Sequence, residues 1–351
     1  MLNRWKLRSL WRERLWRKRP HSFRDVCARE WTLQKSETQQ CAPAIYFTEQ
    51  LDRVTAIQHE TTAEKENCRL RGGEIQHAAT VAYLLREVEL VDGWLYSRSL
   101  RSQAADCPQH LLVPQMEDSQ DLAAISSSLP GNTYFGHWLS DDLVRHLAAE
   151  TLAPPVMVDR GTDYTHESGY CELLGIKQRK LSRARFQELI MLDDFGQNAF
   201  KRHRYAELKK RLRNSIHEAG SKYIYIRRGT GMARATRHLV NAAEVETFLQ
   251  SRGFVIVDPD RKSAAEIAAA TLDARIIVGV EGSHLIHALL PLAEGGTIWC
   301  LQPPYRFNNV LKDFADCIHA NYAFVVGTSA EGGFEVPIED MERMFDRLHK
   351  E

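Results

Sequence analysis

A regular alternation of strand-like and helix-like segments begins at Lys222 and continues towards the end of the chain. Short runs rich in β-branched residues are separated by stretches whose apolar residues recur at helical spacing. Strands that alternate with amphipathic helices are typical of a parallel sheet with crossover helices. This part of the sequence therefore predicts a Rossmann-like α/β domain. Its predicted strands are 222–227, 253–257, 275–280, 297–301 and 322–327.

The preceding part of the chain shows the same alternation less clearly, and we predict a second α/β domain there. A helix rich in lysine and arginine is expected over 197–218, and Gly220 ends it. A chain of 351 residues is long enough for two such domains. The predicted strands of this part are 81–90, 110–113 and 155–158. The predicted segments are a basic N-terminal segment 1–40, an N-terminal acceptor-side α/β domain 41–218 and a C-terminal domain 219–351.

The composition is that of a soluble globular protein, with 44% hydrophobic and 26% charged residues. No stretch approaches the roughly 18 to 20 uninterrupted apolar residues that a membrane span requires. The seven cysteines are scattered, odd in number and never spaced as CxxC, which disfavours a zinc site or a disulfide scaffold. We therefore expect reduced thiols and a cytoplasmic location.

Residues 1–24 carry nine basic groups and one acid, Glu13, so the rest of the chain has 37 basic and 45 acidic residues. Two interpretations stay open for this segment. It is either a frayed basic tail or a peripheral helix that binds the anionic inner face of a membrane through its arginines, lysines and tryptophans. The segment lacks the apolar core of a secretory signal peptide, and the acidic remainder disfavours a nucleic-acid partner.

Two arginines, Arg227 and Arg228, end the first strand of the C-terminal domain, and a glycine-rich basic stretch follows them as far as Arg237. Guanidinium groups match phosphate oxygens in pairs and keep their charge at any working pH. In a doubly wound sheet, ligands bind at the carboxyl ends of the strands. The pattern therefore indicates a diphosphate site, with solvated surface arginines as the alternative.

A second loop suited to an anion follows the strand 275–280 and contains Glu281, Gly282, Ser283, His284 and Leu285. Glycine permits close approach of the backbone to a ligand, and serine either caps the next helix or binds a phosphate oxygen. An ordinary strand-to-helix turn is the alternative. A third segment, 302–308, supplies an aromatic ring that could stack on a base or a sugar.

The N-terminal domain has one segment, 131–142, in which aromatic, imidazole and carboxylate groups are concentrated. His137 and Asp141 are four residues apart, so in a helix they share one face and the carboxylate orients the imidazole. This arrangement suits a general base, and we propose either residue for that role. A buried, hydrogen-bonded histidine is the alternative.

Taken in order, these segments resemble glycosyltransferase family 61, which includes bacterial capsular-polysaccharide proteins. The similar positions run from about 75 to 330, and only their ordered set is specific. They comprise Tyr134–Arg145 with its His-Trp-Leu, Tyr223–Arg228, Arg237, Asn241, Glu244–Val245, Gly253–Pro259 and Val278–Leu285. The chain departs from the usual family residues at Ala242, Glu281, His284 and His287, positions that shape the donor pocket.

The resemblance implies a GT-B fold, in which two Rossmann-like domains face each other across a cleft. It also implies an inverting transfer from a nucleotide sugar, with a UDP-sugar favoured, to a glycan or lipid-linked acceptor in surface or capsular polysaccharide biosynthesis. No tightly bound cofactor or metal is expected. The donor residues so implied are Arg227, Arg228, Arg237, Asn241, Glu281, Gly282, Ser283, His284 and Leu285. On the acceptor side, Tyr134 and Trp138 are expected beside the base.

Three other functions compete with this interpretation. Asp258-Pro259-Asp260 reads as Asp-x-Asp, the pattern of a metal-dependent transferase. A catalytically silent nucleotide-sugar binder or scaffold of a polysaccharide locus would keep the arginines without a working base. A nucleotide-dependent oxidoreductase is disfavoured because no GxGxxG follows the first clear strand.

Overall fold

The computed structural model describes residues 22–97, 100–107, 116–218, 220–229 and 237–350. The described residues form two compact units. Unit 1 comprises the described residues up to Glu37 and within His77–Arg204, and unit 2 comprises Thr38–Gln76 and the described residues from Tyr205 onward. This division differs from the predicted segments in two ways. Residues 38–76 belong with the C-terminal unit, and the second boundary between the units, at Arg204 and Tyr205, lies inside a helix.

Two sequence-based predictions lie outside the described residues. They are the basic N-terminal segment as far as residue 21 and the strand predicted at 110–113. Most of the basic stretch that follows Arg228, residues 230–236, also lies outside the described residues.

The strands follow the order of the chain. They are β1 Arg29–Gln34, β2 Glu37–Cys41, β3 Gly73–His77, β4 Thr80–Val91, β5 Trp94–Ser97, β6 Leu100–Gln103, β7 Asp118–Ile125, β8 Pro155–Val158, β9 Lys180–Leu181, β10 Arg183–Asp193, β11 Tyr223–Ile226, β12 Val255–Val257, β13 Ile276–Val280, β14 Thr297–Gln302, β15 Asn321–Val326, β16 Thr328–Ala330 and β17 Gly333–Glu335.

The α-helices are numbered in the same way. They are α1 Phe23–Val26, α2 Ala63–Arg71, α3 Leu129–Thr133, α4 Phe135–His137, α5 Leu143–Glu150, α6 Glu167–Leu174, α7 Ala199–Ser215, α8 Ala242–Ser251, α9 Ala264–Thr271, α10 Val310–Cys317 and α11 Ile338–Lys350. A π-helical turn, Trp138–Asp142, joins α4 to α5. Short 3₁₀ helices occur at Thr48–Arg53, Pro259–Arg261 and Ser283–Ala288.

The sheet of unit 1 is mixed. Its strands lie in the order β6-β5-β4-β10-β7-β8-β9, with β1 also paired to β4. The pairs among β1, β4, β5, β6 and β10 are antiparallel, whereas β10, β7, β8 and β9 run parallel. The α/β class is confirmed, but the Rossmann-like character predicted for this half is limited to its parallel side.

A tight turn explains the antiparallel side. Asp92 and Gly93 join β4 to β5, and both have positive φ, 48° and 76°. Positive φ at both central residues defines the type I′ turn, which matches the twist of an antiparallel hairpin and favours Asp-Gly. The dipeptide is thus a hairpin signal that the sequence analysis did not use.

The sheet of unit 2 is entirely parallel and has the order β12-β11-β13-β14-β15. All five strands predicted from the alternation are present. Numbered within the sheet, their order is 2-1-3-4-5, so the direction of winding reverses between β11 and β13. The helices of this unit turn apolar positions towards the core, where Val245 and Leu249 of α8, Ile267 of α9 and Met341 of the final helix α11 are buried.

The segment 38–76 is part of unit 2 through several contacts with the far end of the sheet. Ile45 forms a parallel bridge with Ala323 in β15. Arg53 donates hydrogen bonds to the Val326 carbonyl at 2.8 Å and to Asp340 at 2.6 Å. These partners lie more than 270 residues away along the chain, which is why local sequence patterns did not reveal the association.

Glu66 in α2 is a buried residue of this segment that accepts several hydrogen bonds. Its buried carboxylate accepts hydrogen bonds from the backbone N–H and the side-chain amide of Asn309, at 2.8 and 2.9 Å. It also accepts one from Thr61 at 2.7 Å and pairs with Arg69. A buried carboxylate with several donors contributes to stability chiefly because removing it leaves those donors unsatisfied.

Replacing Glu66 with alanine should lower the free energy of unfolding by about 3–5 kcal/mol, the range for removing one partner of a buried ion pair. Chemical denaturation measures this change. Glu64→Ala is the matched control, since Glu64 is exposed on the same helix and should change stability by about 0.5 kcal/mol or less. Equal effects of the two substitutions would contradict the assigned role of Glu66.

Candidate functional site

The two predicted anion loops of unit 2 come together where the winding of the sheet reverses. Strand β11 pairs with β13, with Ile226 opposite Gly279, so the residues that follow both strands are neighbours. Arg228 Nη1 donates to the Glu281 carbonyl at 3.0 Å and lies 3.1 Å from His284 Nδ1. The reversal point of a doubly wound sheet is the usual place for a ligand.

Gly282 allows two guanidinium groups to lie against the backbone. Its φ is +139°, and a Cβ atom built there would lie 2.2 Å from Arg228 Nη1 and 2.8 Å from Arg237 Nη1. A side chain at this position would therefore meet both arginines and occupy a strained conformation. The chain needs glycine here because two arginine side chains approach the backbone, and the close approach of a ligand stays a prediction.

Three arginines surround Glu281, two at its carboxylate and one at its backbone carbonyl. Arg237 Nη1 donates to Glu281 Oε2 at 2.8 Å, and Arg306 Nε lies 3.5 Å from the same oxygen. Arg228 reaches the carbonyl of the same residue. One buried carboxylate against three guanidinium groups leaves excess positive charge, which favours an anion. Arg306 lies in the segment 302–308 noted for its aromatic ring, but its charge was overlooked.

A cavity of about 500 Å³ lies at this end of the sheet, within the range of small-molecule sites. Several of the predicted donor residues line it, together with residues of β11 and α8. The lining includes Tyr225, Arg227, Arg228, Arg237, Ala242 and Glu246.

Arg227 has a different environment from Arg228. Its guanidinium makes two hydrogen bonds of 2.7 Å to the carboxylate of Glu246 and a third of 3.3 Å to Asp258. Asp258 also accepts from the backbone N–H of Asp260 at 3.1 Å. Arg227 is thus held by two carboxylates, and the first carboxylate of the Asp-x-Asp pattern is engaged with an arginine.

Three other predicted donor residues are Asn241, Leu285 and Ser283, and the first two have contacts within the protein. Asn241 exchanges hydrogen bonds with the backbone of Val336, at 2.9 and 3.1 Å. Leu285 is fully buried and packs towards Gly279. Ser283 begins a 3₁₀ helix whose N-cap is Gly282 and which has no side-chain cap. Of the two roles predicted for Ser283, capping is therefore wrong and phosphate binding stays a prediction.

In unit 1, the predicted pair His137 and Asp141 is brought together after the carboxyl end of β7. His137 Nδ1 lies 2.7 Å from Asp141 Oδ2. The two residues span the junction of α4 with the π-helical turn, a local irregularity that is frequent at functional sites. Asp141 is buried, whereas the side chain of His137 is 32% exposed.

The two aromatic residues predicted on the acceptor side differ in exposure. Tyr134 is exposed, with its ring centroid 6.2 Å from that of His137. Trp138 is fully buried and stacks on Phe135 at 5.8 Å. The prediction that Trp138 faces an acceptor is therefore wrong, because this indole packs inside the unit.

The charges around the pair have opposite effects on its two members. Burial alone would lower the pKa of His137, but the hydrogen bond and charge of Asp141 outweigh burial and raise that pKa above its ordinary value. Burial also works against ionisation of Asp141, yet the Lys201 ammonium and the His137 ring hold the pKa of that carboxyl well below its usual range. The environment therefore favours an ionised Asp141 and a protonated His137.

Two further residues of this cluster were missed by the sequence analysis. Lys201, in α7, contacts Asp141 Oδ1 with its ammonium group. Asp142 accepts hydrogen bonds from Ser128 Oγ at 2.7 Å and from Arg145 at 3.0 Å, and burial raises its pKa to about 7. Lys201 lies 60 residues from Asp141, so no local pattern joins them.

The described residues contain neither a metal-binding cluster nor a helix that could span a membrane. Among these residues, no group of three or more histidine, cysteine, aspartate or glutamate side chains is arranged to hold a metal ion. No described helix combines the length and apolar character needed to cross a bilayer.

Comparison with protein families gives a match to the family described as Glycosyltransferase 61, over residues 135–299. The matched region begins just before the His137–Asp141 pair and ends within strand β14, so it includes Arg228, Arg237 and Glu281 but not Arg306. A comparison with curated proteins gives no match. The match agrees with the ordered motifs noted in the sequence, and residues 135–299 are those of glycosyltransferase family 61.

Proposed function

We propose that this glycosyltransferase moves a sugar from a nucleotide-sugar donor to a hydroxyl group of a glycan or lipid-linked acceptor, with inversion at the anomeric carbon. The observation that carries the proposal is the convergence of Arg228, Arg237 and Arg306 around Glu281 and Gly282 at the reversal point of the unit 2 sheet. Such a cluster suits the diphosphate of the donor.

The chemistry divides into two tasks. His137 accepts the proton of the acceptor hydroxyl while that oxygen forms a bond to the anomeric carbon. The bond from the anomeric carbon to the diphosphate oxygen breaks, and the leaving diphosphate takes the electron pair. Arginine side chains stabilise the negative charge that develops on it. Asp141 orients the imidazole through Nδ1 and stabilises the imidazolium.

We call Arg227, Arg228, Arg237, Glu281, Gly282 and Arg306 the donor cluster. Within it, we assign phosphate contact to Arg228 and Arg237 and a positioning role to Arg227. The two carboxylates of Glu246 and Asp258 already engage the Arg227 guanidinium. Tyr134 is the exposed ring that we assign to the acceptor side. The resemblance adds a UDP-sugar as donor, a GT-B arrangement and a surface-polysaccharide acceptor, which stay predictions. The cytoplasmic location expected from the cysteines, and the two interpretations of residues 1–24 as a basic tail or a membrane-binding helix, also stay predictions.

We expect the transfer to proceed without a divalent metal ion, because arginines neutralise the leaving group in this proposal. The test is a thermal-shift screen of nucleotide sugars followed by transfer assays with the stabilising donor. Excess EDTA should leave the rate unchanged. Loss of activity that Mn²⁺ or Mg²⁺ restores would favour a metal site at Asp258 and Asp260. Donor binding without transfer to any acceptor of a broad glycan panel would favour a silent binder.

A further inference from the structure

Lys201 is a fully buried lysine whose ammonium group lies between two oxygens of unit 1. It contacts Asp141 Oδ1 and donates to the Asp194 carbonyl at 3.2 Å. Its side chain has no exposed surface. Burying an ammonium group is costly unless a counter-charge accompanies it, so this position requires the carboxylate of Asp141.

The start of α7 holds Lys201 in place. Its backbone N–H donates to the side chain of Asn198 at 3.2 Å, which is the usual N-cap contact. Asn198 in turn donates to the Ala78 carbonyl and to Thr80 Oγ1, both at 2.9 Å. The first turn of the helix is therefore fixed to β4, and the ammonium group has little freedom to move away from Asp141.

The neighbouring carboxylates have their own cationic partners. Asp194 makes two hydrogen bonds of 2.7 Å to Arg204, and Asp142 bonds to Arg145 at 3.0 Å. Lys201 is accordingly the counter-charge of Asp141. His137 then stands beside a carboxylate that is already neutralised.

The contact between Lys201 and Asp141 affects how readily His137 releases its proton. If the imidazolium were the sole counter-charge of Asp141, deprotonation would leave an isolated carboxylate in a buried site, which is unfavourable. With Lys201 in place, deprotonation leaves a neutral lysine–aspartate pair. The imidazole can therefore be neutral, as a general base must be when the acceptor binds.

We propose that Lys201 is a positioning residue of the transfer reaction, which holds the Asp141 carboxylate in place and neutralises it so that His137 is available as a base. This inference rests on the proposed function, in which His137 accepts the acceptor proton. A merely structural lysine would stabilise the fold without affecting the titration of His137.

The experiment compares Lys201→Gln with the unaltered protein by two measurements, NMR titration of the His137 ring and the pH dependence of kcat/KM. Glutamine keeps donors for Asp141 and Asp194 but removes the charge. Without the charge, the His137–Asp141 pair should hold its proton to higher pH. A shift of about one unit would lower kcat/KM about tenfold on the acidic side, with recovery as the pH rises. Lys201→Arg keeps the charge and should restore the profile.

Lys312→Met is the matched control, because Lys312 is a buried lysine paired with Asp316 at 2.5 Å in unit 2. It should lower the melting temperature and leave both titrations unchanged. A folded Lys201→Gln protein with an unshifted His137 titration would overturn the inference. A shifted titration with an unshifted kcat/KM profile would also overturn it. Failure of the proposed function is distinguished separately, since His137→Ala would then transfer at the unaltered rate whatever the titrations show.

Discussion

Replacing His137 with alanine should lower the turnover number by about 10²- to 10⁴-fold, the usual contribution of a general base. The affinity for the nucleotide-sugar donor should stay nearly the same, because the donor cluster lies in unit 2. A base acts in the transition state, so its loss appears in kcat and in kcat/KM together rather than in binding. Donor titration calorimetry and steady-state transfer assays measure the two quantities.

Asp141→Asn refines this prediction. The asparagine side chain keeps the shape of Asp141 but loses the charge that raises the pKa of His137 and stabilises the imidazolium. We expect a smaller loss of turnover than in His137→Ala, since the proton acceptor is still present, together with a lower melting temperature because the buried Lys201 ammonium loses its counter-charge. His203→Ala is the matched control, because His203 is exposed in the same unit. If His137→Ala and His203→Ala transfer equally well, the base lies elsewhere in the chain.

The sequence predicted unit 2 well because its signals are local. Each strand of a parallel sheet is a short apolar run, and each crossover helix has its own periodic stripe. Unit 1 was harder to predict because its long strand β4 pairs with β1, β5 and β10 at once. The Asp92–Gly93 turn is a local signal of an antiparallel neighbour. The place of residues 38–76 in unit 2 depends on partners such as Asp340, far away along the chain.

The candidate sites show the same limit at the level of single side chains. The spacing of His137 and Asp141 sufficed to predict their contact, because four residues is one helical turn. The pair Arg227 and Arg228 looked equivalent in the sequence, yet one is held by Glu246 and the other lies over the Glu281 loop. Both arginines follow β11, which ends at Ile226, so their partners depend on which neighbouring elements lie beside each side chain.

The donor cluster leads to the second large effect that we expect. Arg228→Ala with Arg237→Ala should weaken binding of a nucleoside diphosphate by about 10²- to 10⁴-fold. A hydrogen bond to a charged group contributes about 1.5–3 kcal/mol, and each 1.4 kcal/mol corresponds to a factor of ten in affinity. Arg261→Ala is the control, because Arg261 is exposed in the same unit and should leave affinity unchanged.

The double substitution should also destabilise the fold, and this effect must be separated from the loss of phosphate contact. Removing both arginines leaves the buried Glu281 carboxylate with Arg306 at 3.5 Å, and an undercompensated buried charge destabilises the fold. Adding Glu281→Gln removes that charge. The triple variant should melt closer to the unaltered protein than the double variant does, yet bind UDP as weakly as the double variant in calorimetry. Tight binding of UDP by a folded triple variant would show that the phosphates lie away from Gly282, because two of the three guanidinium groups would then be dispensable.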